Sequence, residues 1–265
     1  MARIRFSASV SLMFREFALL DRFGAARAAG FKAVEIQFLD EGDPSAIADA
    51  AAQAGVEIVL INVGMGDFRQ GGPGLSGVPG REDWFAAGLD HALDAARQVG
   101  AKLVHIGPSR VAPGASRAAC LAAYRRNLAA AVNRVARTDV QLLIEPLNTI
   151  EFPDILVPDL DLASGLIDET GAESLGLLFD IYHTAMNGID PAEAFTAHRR
   201  LIRHVQFSDA PGRHEPGTGD LDFERIFSRI AGGGYRGWIG AEYHPSRATG
   251  ETLGWLGSLG DRIGA

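Results

Sequence analysis

Val140-Gln141-Leu142-Leu143-Ile144-Glu145-Pro146-Leu147-Asn148 runs from apolar residues straight into a glutamate and is closed by a proline. A short continuous apolar run ended by Pro reads as a strand buried on both faces, as in parallel sheets. A carboxylate at the C-terminal tip of such a strand is costly unless something there compensates its charge. The same figure returns three times, in Leu175-Gly-Leu-Leu-Phe-Asp180, His204-Val-Gln206-Phe-Ser208-Asp209 and Trp238-Ile-Gly-Ala-Glu242. Four successive strands deliver an oxygen ligand at one end, and the reading is that these tips hold a single divalent metal.

Outward from this stretch, strand and helix patterns alternate. Strands are expected at residues 3–7, 33–38, 56–61, 102–106, 175–180, 202–208 and 238–242, besides the opening stretch. Helical spacing covers 16–29, 81–99, 116–137, 159–169, 191–201, 222–230 and 249–263. One further helix opens at Asp43-Pro44, with proline just inside the cap, and ends at Gly55. Eight strand-plus-helix units with right-handed crossovers predict one α/β domain over residues 1–265, a closed (β/α)8 barrel. An open doubly wound sheet is the main alternative, but no GxGxxG follows the first strand.

Composition narrows the function. The chain is 47% hydrophobic with a formal net charge of −8, a balance that argues against a nucleic-acid partner. It leaves room for a small anionic substrate, which needs only one or two local cations. The single cysteine, Cys120, lies in an Ala-rich helical pattern and reads as a small buried hydrophobe. No apolar run approaches the ~20 residues of a membrane helix, and Met1-Ala-Arg-Ile-Arg-Phe enters a strand pattern without a secretory signal. A soluble cytoplasmic protein is the expectation. A homo-oligomer is left open.

In a barrel of this kind the site sits at the C-terminal ends of the strands, where Glu145, Asp180, Gln206 and Glu242 fall. Three carboxylates and an amide oxygen form a hard donor set suited to Mg²⁺ or Mn²⁺ rather than Zn²⁺. The plain alternative is that these acids cap helices or sit in solvated loops. A divalent ion would acidify a C–H beside a carbonyl; Glu145 and Glu242 could take that proton and return one to the adjacent carbon. His183, three residues past Asp180, and Arg213, in a loop dense in turn formers, are candidate substrate contacts. Glu215 is a rival partner for Arg213. Glu151, six past Glu145 and a candidate acid behind the substrate contacts, and Asn62 complete the substrate-binding candidates, a surface loop being the plainer reading of Glu151. The stretch 64–80 carries seven glycines and reads as a lid, with Asp67, Phe68 and Trp84 to close it; it lacks the Gly-Lys-Ser/Thr of a phosphate-binding loop.

Nearly end to end, the chain resembles the hydroxypyruvate isomerases, a branch of the xylose-isomerase-like barrels. The specific pieces are Leu143-Ile-Glu-Pro-Leu-Asn148, Phe179-Asp-Ile-Tyr-His183, His204-Val-Gln206, Glu215-Pro-Gly-Thr-Gly219 and Gly237-Trp-Ile-Gly-Ala-Glu-Tyr243. The resemblance implies that Glu145 and Glu242 are the proton donor and acceptor, that they hold the metal with Asp180 and Gln206, and that His183 and Arg213 contact substrate. It implies interconversion of hydroxypyruvate and tartronate semialdehyde, or of a close hydroxy-keto acid such as 2-oxotetronate, through an enediolate. The alternative is a ketose 3-epimerase acting on a free ketose. Two departures fall at the substrate end: Ile61 stands where the family usually has His, and the run Thr184-Ala-Met-Asn-Gly188 is one residue shorter and lacks the family's Gln. An apurinic-site endonuclease of the same architecture would cluster three zinc ions on many histidines, and the chain has only seven His. A sugar sensor would keep the pocket without needing Glu145.

Overall fold

The computed structural model describes residues 4–38 and 41–263. Its strands are β1 (Arg5–Ser9), β2 (Ala33–Ile36), β3 (Glu57–Asn62), β4 (Leu103–His105), β5 (Gln141–Ile144), β6 (Leu175–Asp180), β7 (Ile202–Phe207) and β8 (Trp238–Ala241). Each pairs in parallel with its sequence neighbours, and β8 pairs with β1, closing the barrel. The helices are α1 (Asp21–Ala28), α2 (Pro44–Ala54), α3 (Glu82–Val99), α4 (Arg117–Val135), α5 (Leu160–Thr170), α6 (Ile181–Met186), α7 (Pro191–His198), α8 (Phe223–Gly232) and α9 (Gly254–Ile263). The (β/α)8 barrel read from the sequence is the fold. Among the described residues, no helix is long and apolar enough to cross a membrane.

Local chemistry explains where the elements begin and stop. Asp43 caps α2 by accepting from Ala46 N, and Gly55 ends it at φ +67°, the left-handed conformation that glycine adopts without strain. Asp159 and Asp222 cap α5 and α8 in the same way as Asp43 caps α2.

Several boundaries differ from the sequence reading, three of them toward the ends of the chain. The first strand runs Arg5–Ser9, two residues late; Arg3, where it was expected to start, lies outside the described residues. The first helix starts at Asp21 rather than 16, because the Glu16 carboxylate accepts from Thr249 N and Oγ1 at 2.8 and 3.0 Å. The closing helix is split into a 3₁₀ turn, Thr249–Thr252, and α9. One helix, α6, was not anticipated. It begins on Asp180, whose Oδ1 accepts from Tyr182 N at 2.8 Å.

The main core lies between the barrel and its helices, with Phe6, Phe207, Phe227 and Trp255 meeting edge to face. A second small cluster contains Ala33, Val59, Leu60, Leu143 and Leu178. Leu143 shares a strand face with Glu145, two residues on, so this cluster sits along the barrel axis beneath the acids.

Candidate active site

The four strand tips converge. Glu145 directly follows β5, and Asp180 ends β6. Gln206 lies opposite Asp180 in the β6–β7 register. Glu242 follows β8, its N–H donating to Phe207 O at 3.0 Å. A cavity of about 340 Å³ opens above them, lined by Asn62, His105, Glu145, His183, Arg213 and Glu242, among others. Asp180 and Gln206 are almost wholly buried.

Burial governs the charges here. It pushes Glu145 well above the ordinary carboxylate range, with Glu242 and Asp180 adding repulsion and Arg213 opposing. It raises Glu242 to about 7 and Asp180 to about 6, again against Arg213. Arg213 Nη2 lies 3.0 Å from Glu242 Oε2 and 3.8 Å from Asp180 Oδ2. Glu215, the rival partner for Arg213, instead accepts from Ser246 N and Oγ.

The donor set suits a hard cation. Glu145 Oε1 and Asp180 Oδ2 are buried without a hydrogen-bond partner, a costly state for carboxylate oxygens unless a positive charge meets them. Ligand atoms of Glu145, Asp180 and His183 lie within 4.8 Å of one another. Gln206 reaches the same level of the barrel in a fixed orientation. Its Nε2 donates to Glu35 Oε2 at 2.7 Å, and since a carboxylate only accepts, the amide oxygen faces away from Glu35.

Three residues at this site were not singled out from the sequence. Glu35, fully buried, accepts from Ser7 at 2.6 Å and lies 2.8 Å from His204 Nε2. Burial alone would raise it, but His204, Ser7 and Gln206 hold it below the ordinary range. His105 places Nε2 3.7 Å from Glu145 Oε2, and burial pushes it down to about 3, so its ring is neutral. Asn148 Nδ2 lies 2.8 Å from His183 Nδ1. The signal for His105 was its place at a strand tip; Glu35 carried none beyond a polar residue in an alternating strand.

The remaining candidates divide. His183, Arg213 and Asn62 line the cavity, and Asn62 Oδ1 is buried and unpartnered. Glu151 does not line it: its carboxylate accepts from Tyr182 Oη at 2.9 Å and Asn148 Nδ2 at 2.7 Å. Ile61, the family departure, is packed into the main core.

The Gly-rich stretch is pinned rather than loose. Asp67 accepts from Gly74 N and Arg81, Ser76 Oγ donates to Gly107 O, and Arg110 Nη1 donates to Phe68 O and Gly72 O. Phe68 faces the cavity, whereas Trp84 is exposed on α3.

Comparison with known proteins agrees with this geometry. Residues 23–259 match the profile of the xylose isomerase-like TIM barrel family. The 2-oxo-tetronate isomerase of Cupriavidus necator is 38% identical, over 95% of this chain and 97% of that protein. The hydroxypyruvate isomerase of Escherichia coli is 34% identical, over 96% and 98%. A crystal structure described as an AP endonuclease, family 2, from Brucella melitensis superposes with a TM-score of 0.92 at 32% identity, covering 96% of this chain and 98% of that one. The full-length relatives and the matching profile show that this chain is an isomerase, belonging to the hydroxypyruvate isomerase family of xylose isomerase-like TIM barrels.

Proposed function

We propose that the chain interconverts hydroxypyruvate and tartronate semialdehyde, or a close hydroxy-keto acid such as 2-oxotetronate, by proton transfer through an enediolate. The observation that carries this reading is the pair Glu145 and Glu242: two buried carboxyls facing one cavity, both held above the ordinary range. A carboxyl brought to about 7 both takes and gives a proton near neutral pH.

One glutamate removes the proton from the hydroxyl-bearing carbon, the hydroxyl proton passes to the former carbonyl oxygen, and the other glutamate delivers a proton to the neighbouring carbon, leaving an aldehyde beside a new hydroxyl. Glu145, Asp180, Gln206 and Glu242 would hold a Mg²⁺ or Mn²⁺ ion, which when bound polarises the substrate carbonyl and acidifies the C–H beside it. Arg213 has a buried, unpartnered Nε, a donor for the substrate carboxylate. Asn62 Oδ1 accepts from a substrate hydroxyl. Arg15, Arg69 and Arg110 also line the cavity and favour an anionic substrate over a neutral sugar.

Epimerisation of a free ketose at C3 would use the same pair of acids, and one experiment separates the two reactions. Candidate keto acids and ketoses are incubated in D₂O with Mg²⁺ or Mn²⁺ and followed by NMR. The keto-acid reading expects an aldehyde product carrying deuterium. A product that keeps its ketone and inverts one centre would replace this reading with epimerisation. Phosphodiester cleavage, the chemistry in the Brucella protein's description, fits less well. The chain carries net negative charge, and among the described residues Glu145, Asp180 and His183 are the one cluster of its kind.

A further inference from the structure

We infer that Asn148 is a positioning residue that locks His183 as its Nε2–H tautomer, so that His183 serves as a hydrogen-bond donor to substrate and is kept out of the metal's ligand set. The tautomer follows from hydrogen-bond geometry alone; only its use toward substrate rests on the isomerase site proposed above.

The orientation of the Asn148 amide is determined twice over. Its Oδ1 accepts from Glu151 N at 2.8 Å. Its Nδ2 lies 2.7 Å from Glu151 Oε2, a carboxylate oxygen that accepts. Both contacts put the NH₂ group on the same side, where it meets His183 Nδ1 at 2.8 Å. The Asn148 backbone N–H approaches that same Nδ1 at 3.3 Å. Neither nitrogen can accept, so Nδ1 must carry a lone pair and the ring proton sits on Nε2.

That proton has two consequences. Nε2 is 3.7 Å from Asp180 Oδ2, and the ring lines the cavity, so an N–H is offered to an oxygen bound there. The same proton prevents Nε2 from coordinating a cation. His183 has a ligand atom close enough to Glu145 and Asp180 to complete a three-residue site, yet joining it through Nε2 while Asn148 donates to Nδ1 would require an imidazolate. The tie continues outward: Tyr182 Oη donates to Glu151 at 2.9 Å, and Tyr182 precedes His183 in α6. The device is therefore anchored at both ends, by neighbouring residues of α6 and of the loop after β5.

The test is a long-range ¹H–¹⁵N correlation spectrum of histidine-labelled protein, metal-free and with excess Mg²⁺, the His183 signals being assigned by their loss in His183→Gln. The expected spectrum shows an unprotonated Nδ1 and a protonated Nε2 in both conditions. Asn148→Asp, which presents an acceptor instead of a donor, is expected to invert the pattern. It should also lower kcat/KM by about 10- to 100-fold. Calorimetric titration with Mg²⁺ alone should give the same affinity for His183→Gln as for the parent protein. A protonated Nδ1 in the unmutated protein, or a tenfold loss of Mg²⁺ affinity in His183→Gln, overturns the proposal. The unmutated spectrum decides even where the Asn148 variant does not fold. Absence of keto-acid turnover would remove the proposed reaction but leave the tautomer assignment standing.

Discussion

Arg213 lies across two acids of the site, its Nη2 3.0 Å from Glu242 and 3.8 Å from Asp180, and it does so from a backbone φ of +57°. A non-glycine residue in that region is strained, and Gly212 at φ +106° precedes it. The loop thus carries a local cost that brings a guanidinium to the acids. Arg213→Met should destabilise the protein by about 3 kcal/mol at pH 8, where the acids it faces lose their opposing charge. The loss should be much smaller at pH 5.5, where Glu242, raised to about 7, is protonated. Urea unfolding at the two pH values checks this, and equal losses would contradict it.

The proton-transfer reading predicts that Glu145→Gln and Glu242→Gln each reduce kcat by about 10²- to 10⁴-fold. Solvent deuterium exchange into substrate should fall in the variant that lacks the proton-removing acid and persist in the other. A variant that stops turnover yet still exchanges the substrate C–H would show that the missing residue delivers the proton instead of removing it.

Metal removal should abolish activity, with Mg²⁺ or Mn²⁺ restoring it. At a hundredfold excess over its Kd, a cation that binds the folded chain alone adds about 2.7 kcal/mol of stability. Thermal melts with chelator and with each ion measure this. Asp180→Asn should lose both the restored activity and the shift in melting temperature.

For metal-free protein the pH dependence has a definite sign. Carboxyls raised by burial stabilise the fold below their unfolded values, and that contribution is lost as pH rises through the folded ones. The window here is set by Asp180 at about 6 and Glu242 at about 7. Glu145, raised well above its ordinary value, adds to the loss at higher pH. With chelator present, Glu145→Gln should therefore melt above the unmutated protein at pH 8 and level with it at pH 4.5. Added Mg²⁺ should reverse the order at pH 8.

Gly240 faces Glu35 so closely that a Cβ there would lie 2.0 Å from Glu35 Oε1. Gly240→Ala should cost about 1–3 kcal/mol through overpacking. Because Glu35 orients Gln206, it should also weaken Mg²⁺ binding by about 10- to 100-fold. Gly24→Ala, in α1 with nothing within 4 Å of the new Cβ, is the control and should gain about 0.5–1 kcal/mol.

The barrel and the four tip residues could be read from the chain because each depends on a local pattern. An apolar run ending in an acid says both where a strand stops and what it presents. Glu35 escaped because Ala33-Val-Glu-Ile alternates as a strand with one wet face would, whereas both faces of β2 are buried. Its partner His204 is 169 residues away, and no local pattern carries that distance. Asn148 followed Glu145 by three residues and passed for an ordinary loop asparagine; its contact with His183 depends on α6, a six-residue helix too short to show a periodicity. Glu151 stands behind the substrate contacts rather than among them: its carboxylate accepts from Tyr182 and from Asn148, which meets His183.

Asp180 uses one oxygen to start α6 and leaves the other without a hydrogen-bond partner. A side chain tethered in this way has surrendered its rotational freedom during folding, before any ion arrives. An incoming cation meets a ready-aimed oxygen and mainly has to shed water, which favours tight capture of even a reluctantly dehydrating ion. In the proposed metal site the first turn of a short helix and the grip on the ion would be one mechanical element, and fraying of that turn would be felt first as a leak of the ion.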